Sequence, residues 1–129
     1  MSSSGSTEIE MLAYREAMSL DAPAIVSGLS EMLGAQLVAY IGSVKETRAV
    51  RQWAARERAP SPAIVKRLRD AYQIARLLSA ANPDNVVRAW FQGMNPLLGD
   101  VPPARLLRDG DTDEAAQRVL AAARSFATR

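Results

Sequence analysis

Residues 45–58 hold Lys45, Arg48, Arg51, Gln52, Arg56 and Arg58, and Lys66 follows shortly after. Arginine forks onto guanine O6 and N7, glutamine takes adenine N6 and N7, and the remaining cations hold phosphates. If Ser43 caps a helix running to Arg58, a rotation of about 100° per residue gathers Val50, Trp53 and Ala54 on one side, with Ala49 at its edge. Lys45, Arg48, Gln52, Ala55 and Arg56 then fall opposite, with Arg51 on the flank. The small Ala55 lets such a helix approach another surface closely. Its composition is that of a recognition helix reading double-stranded DNA.

The charge is distributed to match. Residues 1–44 carry one basic and five acidic side chains, residues 45–76 carry nine basic and three acidic, and residues 77–129 balance. A net charge of +2 therefore conceals a basic island of the kind that polyanion binding requires, because neutralising phosphates releases counterions. Only Lys45 and Lys66 are lysines, so the island is mostly arginine.

What is missing excludes other chemistry. Cys and His are both absent, which removes disulfides, thiol nucleophiles, Cys/His zinc sites and the commonest general base. We expect no enzyme activity, no catalytic residue, no cofactor and no metal. Gly93, Gly99 and Gly110 follow no strand and precede no Gly-Lys-Ser/Thr, so they form no phosphate loop. Asp109, Asp111, Asp113 and Glu114 lack the remaining ligands of a calcium loop and fit a helix N-terminus better. The methionines are dispersed and read as core filler. No long apolar run or charged-then-apolar leader occurs, so no membrane partner is expected and the cytoplasm is the default compartment.

At 129 residues and 48% hydrophobic, the chain suits one modest domain, and leucine, alanine and arginine make it read as all-α. Residues 1–8 read as a disordered lead, because Met1–Thr7 is rich in Ser and Gly. A weak helix over Ile9–Ser19 comes next. Asp21 then caps a helix with Pro23 in its first turn and Ile25, Val26, Leu29, Met32 and Leu33 as its stripe, stopped by Gly34. Ala35–Ile41 is a short apolar helix ended by Gly42, after which Ser43 and Glu46 have the form of a capping box. Ser61 and Pro62 open a long helix to Ala81, with Ile64, Val65, Leu68, Tyr72, Ala75 and Leu78 on one face. Short helices over Val86–Gln92 and Pro103–Arg108 follow. Asp111 and Glu114 cap a last helix bearing Ala115, Val119, Leu120, Ala123 and Phe126.

The stretch from Leu37 through Gly42 and Trp53 to Pro60-Ser61-Pro62 resembles the helix-turn-helix of Xre-type bacterial regulators, with Arg56 where that family usually has Gly. A second stretch carries Trp90, then Asn95-Pro96 and Leu98-Gly99, then Pro103 and the pair Leu106-Leu107. It resembles the toxin-binding domain of MbcA, ParS and Xre antitoxins. The motif residues Trp53, Trp90, Asn95, Pro96, Leu98, Gly99, Pro103, Leu106 and Leu107 read mainly as scaffold, with the aromatics and leucines burying area and the Asn-Pro and Gly setting a turn.

The resemblance implies an all-α chain whose residues 9–81 form the helix-turn-helix bundle and linking helix, and whose residues 82–129 bind a toxin. It implies an antitoxin that neutralises a RES-domain toxin, an NAD-consuming enzyme, and represses its own operon by binding operator DNA. Arg118, Arg124, Phe126 and Arg129 are the residues expected to reach the toxin. A homodimer would present two recognition helices to half-sites about 34–36 Å apart. Two rival expectations are a solitary helix-turn-helix regulator without a toxin and a protein-interaction module that never touches DNA.

Overall fold

The computed structural model describes residues 2–128, with side chains from Thr7 onward. The protein is all-α. Its elements are α1 (Ser2–Ser19), α2 (Ala22–Leu33), α3 (Ala35–Ile41), α4 (Thr47–Ala54), α5 (Pro62–Ser79), α6 (Asp84–Gln92), a 3-10 turn at Pro96–Leu98, α7 (Pro103–Asp109) and α8 (Thr112–Ala127). No helix among the described residues is long and apolar enough to cross a membrane.

The helix starts follow from side-chain caps. The carboxylate of Asp21 accepts from the Ala24 amide at 3.0 Å, the Ser61 hydroxyl from Ile64 at 3.3 Å, and Asp111 from Glu114 at 3.2 Å. Each satisfies one amide that a helix leaves without a partner at its start.

Two local expectations are corrected. Ser43 and Glu46 form no capping box, and the helix they were to open spans only Thr47–Ala54. Ser43 instead takes φ +59°, its amide donates to the Tyr40 carbonyl, and the Val44 amide donates to Ala39 at 3.0 Å. That pattern closes the end of α3 with a left-handed residue one position past Gly42. The pattern recurs after α4. Arg56 sits at φ +64°, with the Arg56 amide donating to Trp53 and the Glu57 amide to Gln52, which stops the helix short of Arg58. The second correction is at the start of the chain. Helix α1 begins at Ser2, so it takes in most of the lead expected to be disordered, while Met1 lies outside the described residues. Residues from Ile9 onward supply a nucleus by packing Ala13 and Ala17 inward, and extending a formed helix costs less than starting one.

Helix α5, expected as a link between two parts, is packed on by both. It packs chiefly against α1, α2 and α8, with α3, α6 and α7 also touching it. Its buried set is therefore wider than one stripe: Leu68, Tyr72, Ala75 and Leu78 are joined by Ala71, Ile74 and Leu77. Helices α2, α3 and α4 pack together, and α7 packs on α3. Where α2 crosses α5, a Cβ at Gly28 would lie 2.8 Å from the Tyr72 ring, so the small residue permits that close approach.

Arginines close several helix ends from a distance. Arg69 donates to the carbonyls of Ala17 at 2.5 Å and Leu20 at 2.6 Å, at the end of α1. Arg88 of α6 donates to Met32 of α2 at 3.1 Å, and Arg67 of α5 donates to Ile41 of α3 at 3.0 Å. Each cation sits on the negative end of a helix and satisfies a carbonyl the helix leaves open.

The Tyr72 hydroxyl donates to the Glu16 carboxylate, tying α5 to α1. Burial, and then this acceptor, push the Tyr72 phenol from 10.0 up to about 12. The folded chain therefore keeps that proton between about pH 10 and 12, where the unfolded chain loses it. The stabilisation is complete below pH 10 and is lost as pH rises through 12. An ultraviolet titration of the phenols should show a late component that disappears in Tyr72→Phe and moves to lower pH in Glu16→Gln. A late component unchanged in Glu16→Gln would remove the tie to α1.

Candidate nucleic-acid interface

Helix α4 is short, and its two faces differ sharply. Val50 and Trp53 are buried, with Ala49 and Ala54 half-buried beside them. Trp53 lies against the start of the turn, where a Cβ on Gly42 would stand 3.2 Å from the indole ring. The turn is held again from α5, since the Arg67 guanidinium also donates to the Ser43 hydroxyl at 2.9 Å. Its outward side carries Arg48, Arg51 and Ala55, all exposed, and the half-buried Gln52.

A groove of about 770 Å³ opens along this side, lined by Gln36 and Tyr40 of α3, Lys45 and Glu46 of the turn, Thr47, Arg48 and Arg51 of α4, and Arg108 of α7. Four cations face one carboxylate there. Arg51 is steadied by donating to the Thr47 hydroxyl at 3.0 Å. Arg108 lies over the Tyr40 ring, its guanidinium carbon 4.6 Å from the centroid, which holds a cation against an aromatic face at the groove wall. Among the described residues Lys45, Arg48 and Arg51 make no ion pair.

The other cations expected at DNA are placed differently. Arg58 is exposed in the loop after α4. Arg56 pairs with Asp21 at 2.9 Å, which joins the end of α4 to the cap of α2. The Ala24 amide, and then Arg56, hold the Asp21 carboxyl below its usual 3.8. Lys66 pairs with Asp70 at 2.9 Å and Asp113 at 3.2 Å beside a separate depression between α5 and α8. The structure thus brings Lys45, Arg48 and Arg51 into one groove, while Arg56 and Lys66 hold helices together.

The sequence reading missed Arg108, Tyr40, Gln36 and Thr47. Gln36 and Tyr40 were legible as polar-edged positions on the helix preceding the turn. Arg108 carries no such signal, because only the packing of α7 on α3 brings it there.

In the C-terminal part, Asn95 accepts from the Leu97 amide at 2.9 Å, Pro96 opens the 3-10 turn, and Gly99 takes φ +66°. Leu98, Pro103 and Leu107 are buried and Leu106 is half-buried. Trp90 stands edge-on to Phe91 at 5.3 Å between ring centroids and 6.4 Å from Phe126. Of the residues expected to reach a toxin, Phe126 is thus partly covered by Trp90, Arg124 pairs with Glu10 of α1, and Arg118 is exposed. Arg129 lies outside the described residues. No family model, no curated protein and no solved structure matches the chain, so the reading of the basic groove stands on its own residues and their geometry.

Proposed function

We propose that the chain is a non-enzymatic, double-stranded DNA-binding regulator that inserts α4 into the major groove. The observation that carries this reading is the groove along α3, the turn and α4, where Lys45, Arg48 and Arg51 make no ion pair among the described residues and neighbouring cations are used to hold helices. Arg48 and Arg51 serve base edges, with Gln52 beside them, and Lys45, Arg58 and Arg108 serve phosphates. The resemblance of the C-terminal segment extends the proposal. In this reading the chain is the antitoxin of a RES-domain toxin, covers the entrance to that toxin's active site, and represses its own operon as a homodimer.

Two measurements test the two layers separately. Anisotropy titration of the upstream region of its own gene should show affinity falling steeply with salt, with a logarithmic slope of about −0.9 for each phosphate neutralised. Binding equally weak on random and upstream duplexes would remove the regulator. Co-purification with the product of the neighbouring reading frame should give a complex in which NAD consumption is silenced. Tight operator binding without such a complex would leave a solitary regulator.

A further inference from the structure

Five of the seven large apolar side chains exposed among the described residues lie on α1: Ile9, Met11, Leu12, Tyr14 and Met18. Leu12 is 62% exposed, Met11 49% and Met18 48%. The expectation that methionines fill the core is overturned here: among the described residues Met32 is buried, while Met11, Met18 and Met94 are exposed. Helix α1 already has an inner face, formed by Ala13 and Ala17 against α5. At about 100° per residue Met11, Tyr14 and Met18 form one apolar row on the outer surface and Ile9 and Leu12 another, with Glu8 and Arg15 on the line between the rows.

The charges on α1 narrow the choice of what covers these rows. Glu10 is taken by Arg124, and Glu16 is taken by Arg76 at 3.1 Å and by the Tyr72 hydroxyl. Glu8 and Arg15 remain, both exposed, unlike in sign, and placed on either side of Met11 and Leu12. A two-fold axis passing between Met11 and Leu12 sets Glu8 of one copy opposite Arg15 of the other. The same axis sets Met11 opposite the Met11 of the other copy and Leu12 opposite its Leu12, one on each side of the Glu8/Arg15 line. Such a surface is complementary to itself, as a two-fold interface requires. It is a poor match for an anionic membrane, which favours a basic polar face, because Glu8, Glu10 and Glu16 outnumber Arg15.

We propose that the outer face of α1 is a dimer interface, occupied by the same face of a second copy running antiparallel, with Glu8 of each copy opposite Arg15 of the other. This deepens the homodimeric reading above and rests on it only for the consequence at DNA, where two copies of α4 meet two half-sites. The interface itself is tested by mass.

Light scattering and sedimentation equilibrium on the full chain across the micromolar range should give twice the monomer mass of 14.0 kDa. Met11→Glu combined with Leu12→Glu should give a monomer with unchanged circular dichroism, because both side chains are exposed in the single chain. Glu8→Arg and Arg15→Glu should each raise the dimer dissociation constant on the order of tenfold, since each reversal acts twice across the two-fold. The two reversals together should restore it, which a merely structural effect on α1 would not do. A wild-type monomer, a dimer untouched by the Met11/Leu12 pair, or reversals that fail to rescue each other overturn the proposal. A dimer that ignores DNA leaves this interface standing and removes the DNA reading. A monomer that binds operator DNA does the reverse.

Discussion

Replacing Arg48 and Arg51 together with alanine should weaken binding to the operator by roughly a hundredfold or more, while binding to random duplex falls far less. Each bidentate base contact is worth about 1–3 kcal/mol of discrimination, and tenfold in affinity corresponds to about 1.4 kcal/mol. The two side chains are neighbours in one groove, so their losses need not add, and the double variant measures the site as a unit. The structure supplies matched controls. Lys66→Ala should leave both affinities nearly unchanged, because Lys66 is engaged with Asp70 and Asp113 beside another depression. Arg108→Ala should lower both affinities alike and flatten the salt dependence by about one unit, as a phosphate contact does. Equal losses on both duplexes for the Arg48/Arg51 pair would show that α4 holds backbone only. A loss in Lys66→Ala matching that of the pair would move the interface to the other side of the molecule.

That contrast marks what the sequence can reveal. Signals confined to a few neighbouring residues were legible. Asp21, Ser61 and Asp111 cap the helices they precede, and α3 spans the Ala35–Ile41 range expected of it. Charge counting was less informative. Nine cations between residues 45 and 76 look alike in sequence, yet Arg67 and Arg69 end on helix carbonyls and Arg56, Lys66 and Arg76 on carboxylates. A guanidinium suits a phosphate and an open helix end equally, and only the fold decides which it meets. The stops at Ser43 and Arg56 were hidden for a related reason. Both occupy the left-handed position that glycine favours without being glycine, so the helix ends are written in the bonds of the following amides. The second buried face of α5 and the arrival of Arg108 at Tyr40 depend on elements distant in sequence.

Phe91→Ala should cost about 3–5 kcal/mol, the range for emptying the site of a large buried aromatic. Phe91 is 0% exposed and heads the largest fully buried side chains of the core. Its helix, α6, packs on α2, α5 and α7, so the void opens where the two parts of the chain meet. Domains of this size are commonly stable by only about 5–15 kcal/mol, and the loss is a large share of that. Urea unfolding should show a lower midpoint at an unchanged slope. Phe91→Leu, which keeps much of the volume, should lose less. The two tryptophans report from opposite parts, Trp53 beside the turn and Trp90 against Phe91 itself. Because α5 is core to both parts, their fluorescence should change in one transition and shift together, a distant mutation destabilising α3 and α4 through a shared helix. If Trp90 were released early while Trp53 kept its original midpoint, the parts would be independent bodies, and α5 would be a link after all.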